Sequence, residues 1–340
     1  MGDDSNLILA RLAAYRARLL RSLIGLKTET LETFPVFADW TAANLLAHIG
    51  DYDALFVERF EKVMQGSEQQ IASINDDSTP NNPLGKRNAQ LHERIKHWGL
   101  ERSLSYLNGS RTSFLRVLGQ VSNEDLHRTR QVAWGETTLY EWTRWRWEHD
   151  ETHTRDIDKW RGSLPETDVP GAKGILLAAL QAAMDDFLAT TALVPNTEQE
   201  TRPICGTWTL KDVCGHMADW DAYFNNTARR MLGFADKPLD WNPDWQSANE
   251  QMVEVRRDQP WAVVIGDFVR NSMQLQDTLQ EASEAALNRP YNSSSSPYRA
   301  VYFCFWSALE HYLDHAAITR KELPMMDVPE HLLVFEGPYT

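Results

Sequence analysis

The sequence has few cysteines and no long hydrophobic run. Three cysteines in 340 residues, none of them in a C-x-x-C pair, cannot form the disulfide framework of a secreted domain. This cysteine usage is typical of a reducing compartment, and we therefore expect a cytoplasmic protein. No apolar segment approaches the roughly 18 residues that a membrane-spanning helix requires, so we also expect no association with a membrane.

The sequence also lacks a surplus of basic residues. Its 34 lysines and arginines stand against 48 aspartates and glutamates, which gives a formal net charge of −14. Because nucleic-acid binding needs cationic side chains for the phosphates, this balance argues against a nucleic-acid partner. The sequence shows no Ser-His-Asp arrangement, phosphate-binding loop or nucleotide fingerprint, and no convincing general base.

What the chain does contain is an internal repeat. The stretch DWTAANLLAHIGDYDALF from Asp39 aligns with TWTLKDVCGHMADWDAYF from Thr207, at an offset of 168 residues. Further on, YEWTRWRWEHDETH from Tyr140 aligns with YFCFWSALEHYLDH from Tyr302, at an offset of 162. Repeats of this length indicate tandem copies of one structural unit. We place copy one at residues 1–163 and copy two at residues 172–340, with a C-terminal tail from about residue 321.

Each copy is predicted to be a four-helix bundle, so the fold class is all-α with an internal pseudo-twofold repeat. Apolar residues recur at spacings of three and four, and strand-like alternation is not sustained anywhere. The predicted helices span 5–24, 41–66, 88–121 and 138–160 in copy one, and 172–193, 209–233, 246–285 and 298–320 in copy two. A long polar connection follows the second helix of copy one, which permits a crossover rather than a tight antiparallel hairpin.

In each copy, N-capping residues mark where the second helix begins. Thr41 and Thr209 are good N-caps, because a hydroxyl can accept a hydrogen bond from a free N–H of the first turn. Asn44 and Asp212 stand at the capping-box position. The aromatic residue before the cap, Trp40 in copy one, has the spacing of a hydrophobic staple onto the helix.

Histidines recur at equivalent places in both copies. In the fourth helix a spacing of four places two imidazoles one above the other on the same face. The staple turns the histidine of the second helix toward the same interior. The candidate metal ligands are His48, His149 and His153 in copy one, and His216, His311 and His315 in copy two.

Three imidazoles on one metal leave coordination positions open, which is typical of a catalytic site rather than a structural one. An H-x-x-x-H pair arises roughly 0.3 times by chance in such a composition, but two pairs at equivalent repeat positions are far less easily accidental. A zinc-protease helix is excluded, since H-E-x-x-H needs a glutamate directly after the first histidine. Asp150 and Tyr312 occupy that position here.

The pattern W-T-x-x-x-x-x-x-H opening the second helix, with H-x-x-x-H on the fourth, resembles the DinB/YfiT-like superfamily of metalloenzymes, here in two tandem units. The resemblance implies that the two histidine triads bind a divalent metal, zinc or nickel, with iron as a further candidate. It also implies an enzyme that acts on a small electrophile, as a thiol S-transferase or a hydrolase, in a detoxifying role. Members are often homodimers, so the tandem chain is expected to be a monomer that mimics such a dimer, or a homodimer itself.

Four carboxylates lie close to these ligands in sequence and are candidates to hydrogen-bond them. They are Glu148, Glu310, Asp51 and Asp219. A solvated helix face is the competing interpretation for all four, and the catalytic residues stay unidentified.

Two other functions remain open at this stage. The bundle could bind or sequester a metal or a small ligand without turnover, or it could be a structural unit with relic histidines.

Tryptophan, by contrast with cysteine, is abundant, with 13 residues, which favours thick cores or aromatic-lined pockets. Just before the ligands of the fourth helix, Trp142 and Trp145 of copy one align with Cys304 and Ser307 of copy two. We therefore expect the copy-two pocket to be the roomier one.

Overall fold

Helices form most of both units of the computed structural model, which describes residues 4–71, 83–164, 171–234, 245–292 and 298–323. The chain divides into two compact units at residues 167/168. This architecture confirms the predicted all-α class and the tandem repeat. Most of the predicted C-terminal tail lies outside the described residues. Within the described ranges, no helix has both the length and the apolar character needed to cross a membrane.

Unit one contains the helices of a four-helix bundle together with shorter helices and strands. Its helices are α1 (Asp4–Arg21), α2 (Thr28–Thr33), α3 (Ala42–Met64), α4 (Pro83–Ile95), α5 (Leu100–Leu118), α6 (Asn123–His127) and α7 (Leu139–Arg161). Its strands are β1 (Pro35–Phe37), β2 (Trp40–Thr41), β3 (Arg130–Val132) and β4 (Gly135–Thr137), with one 3-10 turn at Glu68–Gln70.

Unit two repeats this order with fewer small elements. Its helices are α8 (Lys173–Thr191), α9 (Leu210–Leu232), α10 (Trp245–Val255), α11 (Trp261–Glu281), α12 (Glu284–Asn288) and α13 (Tyr302–Lys321). Its strands are β5 (Pro203–Cys205) and β6 (Trp208–Thr209).

The predicted third helix of each copy is broken in two, so the single helices expected over 88–121 and 246–285 were wrong. In copy one the break lies before Gly99, which caps α5 in an extended conformation. In copy two the cap of α11 is Pro260, which has no N–H to donate and whose ring clashes with a preceding helical turn. Both breaks were missed from the sequence because the apolar spacing continues on either side of them.

Three antiparallel hairpins of two or three residues per strand were also missed. Gly135 and Gly206 adopt left-handed φ angles of 126° and 60° at the turns of two of them. Strands this short carry too few residues for an alternating pattern to be visible in the sequence.

The second and third helices run parallel. In unit one, Asp51 of α3 contacts Tyr106 of α5, and Phe60 packs on Phe114 with ring centroids 5.5 Å apart. Contacts that advance together along both helices require the same direction, so the chain must cross over between them. The predicted crossover is therefore confirmed.

The first and fourth helices also run parallel to each other. Arg16 of α1 donates to Asp150 of α7 at 3.0 Å, and Arg161, about three turns later in α7, donates to the carbonyl of Ser22, which follows α1. By contrast, α7 is antiparallel to α3, since His48 lies near His153 whereas Phe60, later in α3, packs on Trp142, earlier in α7. The directions are thus up, down, down and up, a bundle with one long crossover.

Close packing of α3 on α5 depends on one glycine. A Cβ at Gly50 would lie 3.0 Å from the Cα and 3.1 Å from the backbone N of Leu107. Since backbone atoms cannot move aside as a flexible side chain can, only glycine allows this approach.

We predict that Gly50→Ala lowers the free energy of unfolding of unit one by about 1–3 kcal/mol, because α5 must shift to make room. The matched control is Gly109→Ala on α5, where a Cβ meets no heavy atom within 4 Å. That change should instead stabilise by about 0.5–1 kcal/mol. Urea denaturation measures both, and equal effects of the two changes would contradict the close approach.

Candidate metal centres

Capping boxes fix the start of the helix that carries the first histidine. In copy one the backbone N–H of Asn44 donates to Thr41 Oγ1 at 3.2 Å, and Thr41 N–H donates back to Asn44 Oδ1 at 3.4 Å. Thr209 and Asp212 make the same exchange at 3.3 and 2.9 Å. Both predicted capping boxes are confirmed, and they set the rotation that turns the first histidine inward.

The tryptophan before each cap contacts the first histidine. Trp40 lies edge-on to His48 with ring centroids 5.4 Å apart, and Trp208 lies 5.0 Å from His216. Trp40 also stacks on His92 at 4.5 Å. His92 is itself buried.

In copy one the three predicted histidines come together between α3 and α7. The Nε2 atoms of His149 and His153 lie 3.1 Å apart. The ring of His48 lies 5.0 Å from the ring of His149 and 5.1 Å from that of His153. One nitrogen from each of the three lies within 4.8 Å of the others, so the group could hold a metal ion.

Copy two has the same convergence between α9 and α13. His311 Nε2 lies 2.8 Å from His216 Nε2 and 3.0 Å from His315 Nε2. Zinc–nitrogen bonds of about 2.0–2.1 Å in tetrahedral geometry require nitrogens about 3.3 Å apart. Small adjustments would therefore let all three lone pairs reach one ion.

Burial keeps five of these imidazoles neutral, which is the form that binds metals. Loss of hydration lowers the pKa of His48 and of His216 to about 3, and that of His315 to about 4. The pKa values of His149 and His311 are lowered well below the usual range by the same cause.

The outer ring nitrogens differ between the copies. In copy one, His153 Nδ1 lies 3.0 Å from a carboxylate oxygen of Asp156, and Arg146 donates to His149 Nδ1 at 3.0 Å. In copy two, the Nδ1 atoms of all three histidines are buried without a hydrogen-bond partner among the described residues.

The carboxylates proposed near the ligands have other partners. Asp51 accepts from Arg94 at 2.5 Å and also pairs with Arg87, while Asp219 pairs with Arg256 at 2.7 Å. These pairs tie the second helix to the first segment of the third.

The two glutamates differ from one another. Glu148 is largely exposed and lies 3.4 Å from Arg144, whereas Glu310 is buried and accepts from Trp306 Nε1 at 2.8 Å. A contact between any of the four carboxylates and a metal ligand stays a prediction.

The tryptophans expected over the copy-one site lie elsewhere. Trp142 is fully buried against Phe56 and Phe60 in the core. Besides the other two histidines, His149 contacts Arg146 and Tyr52, whose ring stacks on it at 4.6 Å. The relative size of the two pockets stays a prediction.

A buried ionic cluster supports the copy-one triad, and sequence reasoning missed it. Asp53 accepts from Arg111 at 2.8 Å and from Arg146 at 3.0 Å. Asp150 accepts from Arg111 at 2.9 Å and from Arg16 at 3.0 Å. We call Arg16, Asp53, Arg111, Arg146 and Asp150 the copy-one ionic cluster.

In copy two, Tyr312, Asp221 and Ser272 take the place of this cluster, and no arginine is among their described contacts. Tyr312, which aligns with Asp150, places its hydroxyl 2.8 Å from Asp221 Oδ2 and 2.9 Å from Ser272 Oγ. Ser272 Oγ lies 3.1 Å from the sulfur of Met184. Ala308 stands at the position of Arg146. The signal that could have revealed this difference was the pairing of Asp150 with Tyr312 in the repeat alignment.

The same change at Asp53 and Asp221 should lower the free energy of unfolding by different amounts. The arginines hold the pKa of Asp53 below its usual range, whereas burial raises that of Asp221 well above it. Asp53→Asn leaves buried guanidinium charge unpaired and should cost about 3–5 kcal/mol of unfolding free energy. Asp221→Asn replaces a neutral acid and should cost less than about 1 kcal/mol. Urea denaturation compares the two, and equal costs would contradict this assignment of charge.

The metal-free protein should lose stability as the pH falls from about 6.5 toward 4. In this window the unfolded chain protonates its imidazoles at their ordinary pKa of 6.5, while the folded protein, with the pKa of His315 lowered to about 4, does not. Each buried imidazole then costs about 1.4 kcal/mol per pH unit. Denaturation of chelator-treated protein between pH 7 and 5 measures this slope. His315→Asn should make the slope shallower, and an unchanged slope would refute the assigned neutrality.

Comparison with known proteins identifies a family for both halves. A family model described as the DinB superfamily matches residues 11–157 and, a second time, residues 179–318. No curated protein and no solved structure matches the chain. The two matched segments each contain one complete histidine triad.

Proposed function

Because the chain belongs to the DinB superfamily in both of its repeats, we propose that it is a divalent-metal-dependent enzyme that acts on a small electrophilic molecule. The reaction class is transfer of a low-molecular-weight thiol to the electrophile, or its hydrolysis. The metal is zinc or nickel, with iron as the next candidate.

One observation carries this proposal, namely three buried imidazoles whose Nε2 atoms converge on a common point. In copy two, His216, His311 and His315 do this with no competing cation in contact among the described residues. A three-histidine set leaves coordination positions for a substrate or nucleophile, which closed structural sites do not.

The chemistry that a bound divalent metal supplies is Lewis acidity, which lowers the pKa of a water or thiol and polarises an electrophile. The protein's own contribution is to keep the three imidazoles neutral by burial and to fix, through the capping box, the rotation of the helix that carries His216. Trp208 and Trp220, with rings 5.0 and 6.3 Å from that of His216, give the surroundings an apolar character suited to a small organic substrate.

The proposal is tested first by elemental analysis of protein purified without chelator. We expect metal in the native protein, and His311→Ala should remove the copy-two share, because that residue contacts both other ligands. His127→Ala is the matched control, since His127 stacks on Tyr140 outside both triads. A metal-free native protein that also fails to take up added zinc or nickel would overturn the proposal.

Turnover assays separate an enzyme from a sequestering protein. Metal-loaded protein is incubated with low-molecular-weight thiols and model electrophiles, such as epoxides and activated alkenes, and thiol consumption and hydrolysis are both followed. Activity that His311→Ala abolishes and His127→Ala preserves would support catalysis. Full metal occupancy without turnover of any pair would favour the alternative, a non-catalytic metal or small-ligand binding protein.

A further inference from the structure

We propose that Arg146 keeps the copy-one triad in a metal-free, hydrogen-bonded state, so that the chain carries one working metal centre, in copy two. This inference rests on the proposed function, since it assumes that a three-histidine site of this chain binds metal. The inference names the residue that determines which of the two triads binds metal.

The first step is the direction of one hydrogen bond. Arg146 Nη2 lies 3.0 Å from His149 Nδ1. A guanidinium has donors only, so His149 Nδ1 must be the acceptor. A neutral imidazole that accepts at Nδ1 carries its proton at Nε2. Nε2 is the atom that faces the centre of the triad, and in this tautomer it has no lone pair for a metal.

The hydrogen bonds of His153 continue from this one. His153 Nδ1 lies 3.0 Å from a carboxylate oxygen of Asp156, which fixes that nitrogen as a donor. His153 Nε2 is then an acceptor, and it lies 3.1 Å from the N–H of His149. The chain from Arg146 through both histidines to Asp156 is therefore complete, with every donor matched to an acceptor. A metal would have to break two of these three bonds.

The second step is charge. The copy-one ionic cluster holds three arginines and two aspartates, all of them buried. Arg146 pairs with Asp53 and also contacts His149. The net positive charge of the cluster therefore lies beside a candidate metal ligand. Since repulsion between charges is weakly screened in the interior, this placement disfavours a dication at the triad.

Copy two has the opposite properties. Ala308 occupies the position of Arg146, and Tyr312 and Ser272 stand in place of the charged groups. Two short contacts, of 2.8 and 3.0 Å, meet on His311 Nε2. That atom has either one proton or one lone pair, so at most one contact can be a well-formed hydrogen bond. A metal ion would relieve this conflict by replacing both contacts.

Two substitutions can release the copy-one site without unbalancing the core. Arg146→Ala installs the copy-two residue and leaves two arginines facing two aspartates. Arg146→Gln keeps more of the side-chain volume, and its amide oxygen can accept from His149 Nδ1, which frees the Nε2 lone pair. Arg102→Ala is the matched control, since Arg102 lies over Trp98, away from the triad.

The test is the number of metal ions per chain. It is measured by elemental mass spectrometry after the protein has been loaded with zinc and the excess zinc has been removed. We expect one ion in the wild type, lost with His311→Ala but retained with His149→Ala. Arg146→Ala or Arg146→Gln should raise the count to two, and in the His311→Ala background should restore it from zero to one. The Arg102→Ala variant should stay at one, and circular dichroism confirms that each variant is folded.

Ring-nitrogen NMR of the metal-free protein gives a second readout. His149 should have its proton at Nε2 in the wild type and at Nδ1 in Arg146→Gln. Two ions in the wild type, one of them lost with His149→Ala, would overturn this inference while leaving the proposed function intact. Folded Arg146 variants that both stay at one ion would overturn it as well. Absence of metal from every variant would instead overturn the proposed function, and this inference with it.

Discussion

The structure of each repeat depends on burying three imidazoles where the antiparallel second and fourth helices face each other. Neutral imidazoles tolerate this burial, but each still brings two ring nitrogens that need partners. The parallel pairing of α3 with α5 and of α1 with α7 supplies the walls around them. The capping boxes at Thr41 and Thr209 fix which face of the second helix points inward.

The two repeats satisfy the same constraint by different means. Copy one gives His149 and His153 partners of definite polarity, Arg146 on one side and Asp156 on the other. Copy two leaves the Nδ1 atoms of all three histidines without hydrogen-bond partners among its described residues. A duplicated unit has thus kept its fold and its histidines while the residues behind them changed.

Local patterns in the sequence predicted the parts that depend on neighbouring residues. The spacing from His149 to His153 and the Trp-Thr before His48 were enough to place all three histidines together. The break at Pro260 could have been read from the sequence, whereas the break before Gly99 has a weaker signal. The copy-one ionic cluster could not be predicted, because Arg16 and Arg111 come from helices whose mutual rotation no local pattern fixes.

Anomalous X-ray diffraction from crystals of the metal-loaded wild type, recorded on both sides of the metal's absorption edge, tests the central claim most directly. We expect one strong peak among the Nε2 atoms of His216, His311 and His315. We expect no peak among those of His48, His149 and His153. Peaks of equal height at both triads would contradict the assigned role of Arg146, and the absence of any peak at the copy-two triad would contradict the metal centre itself.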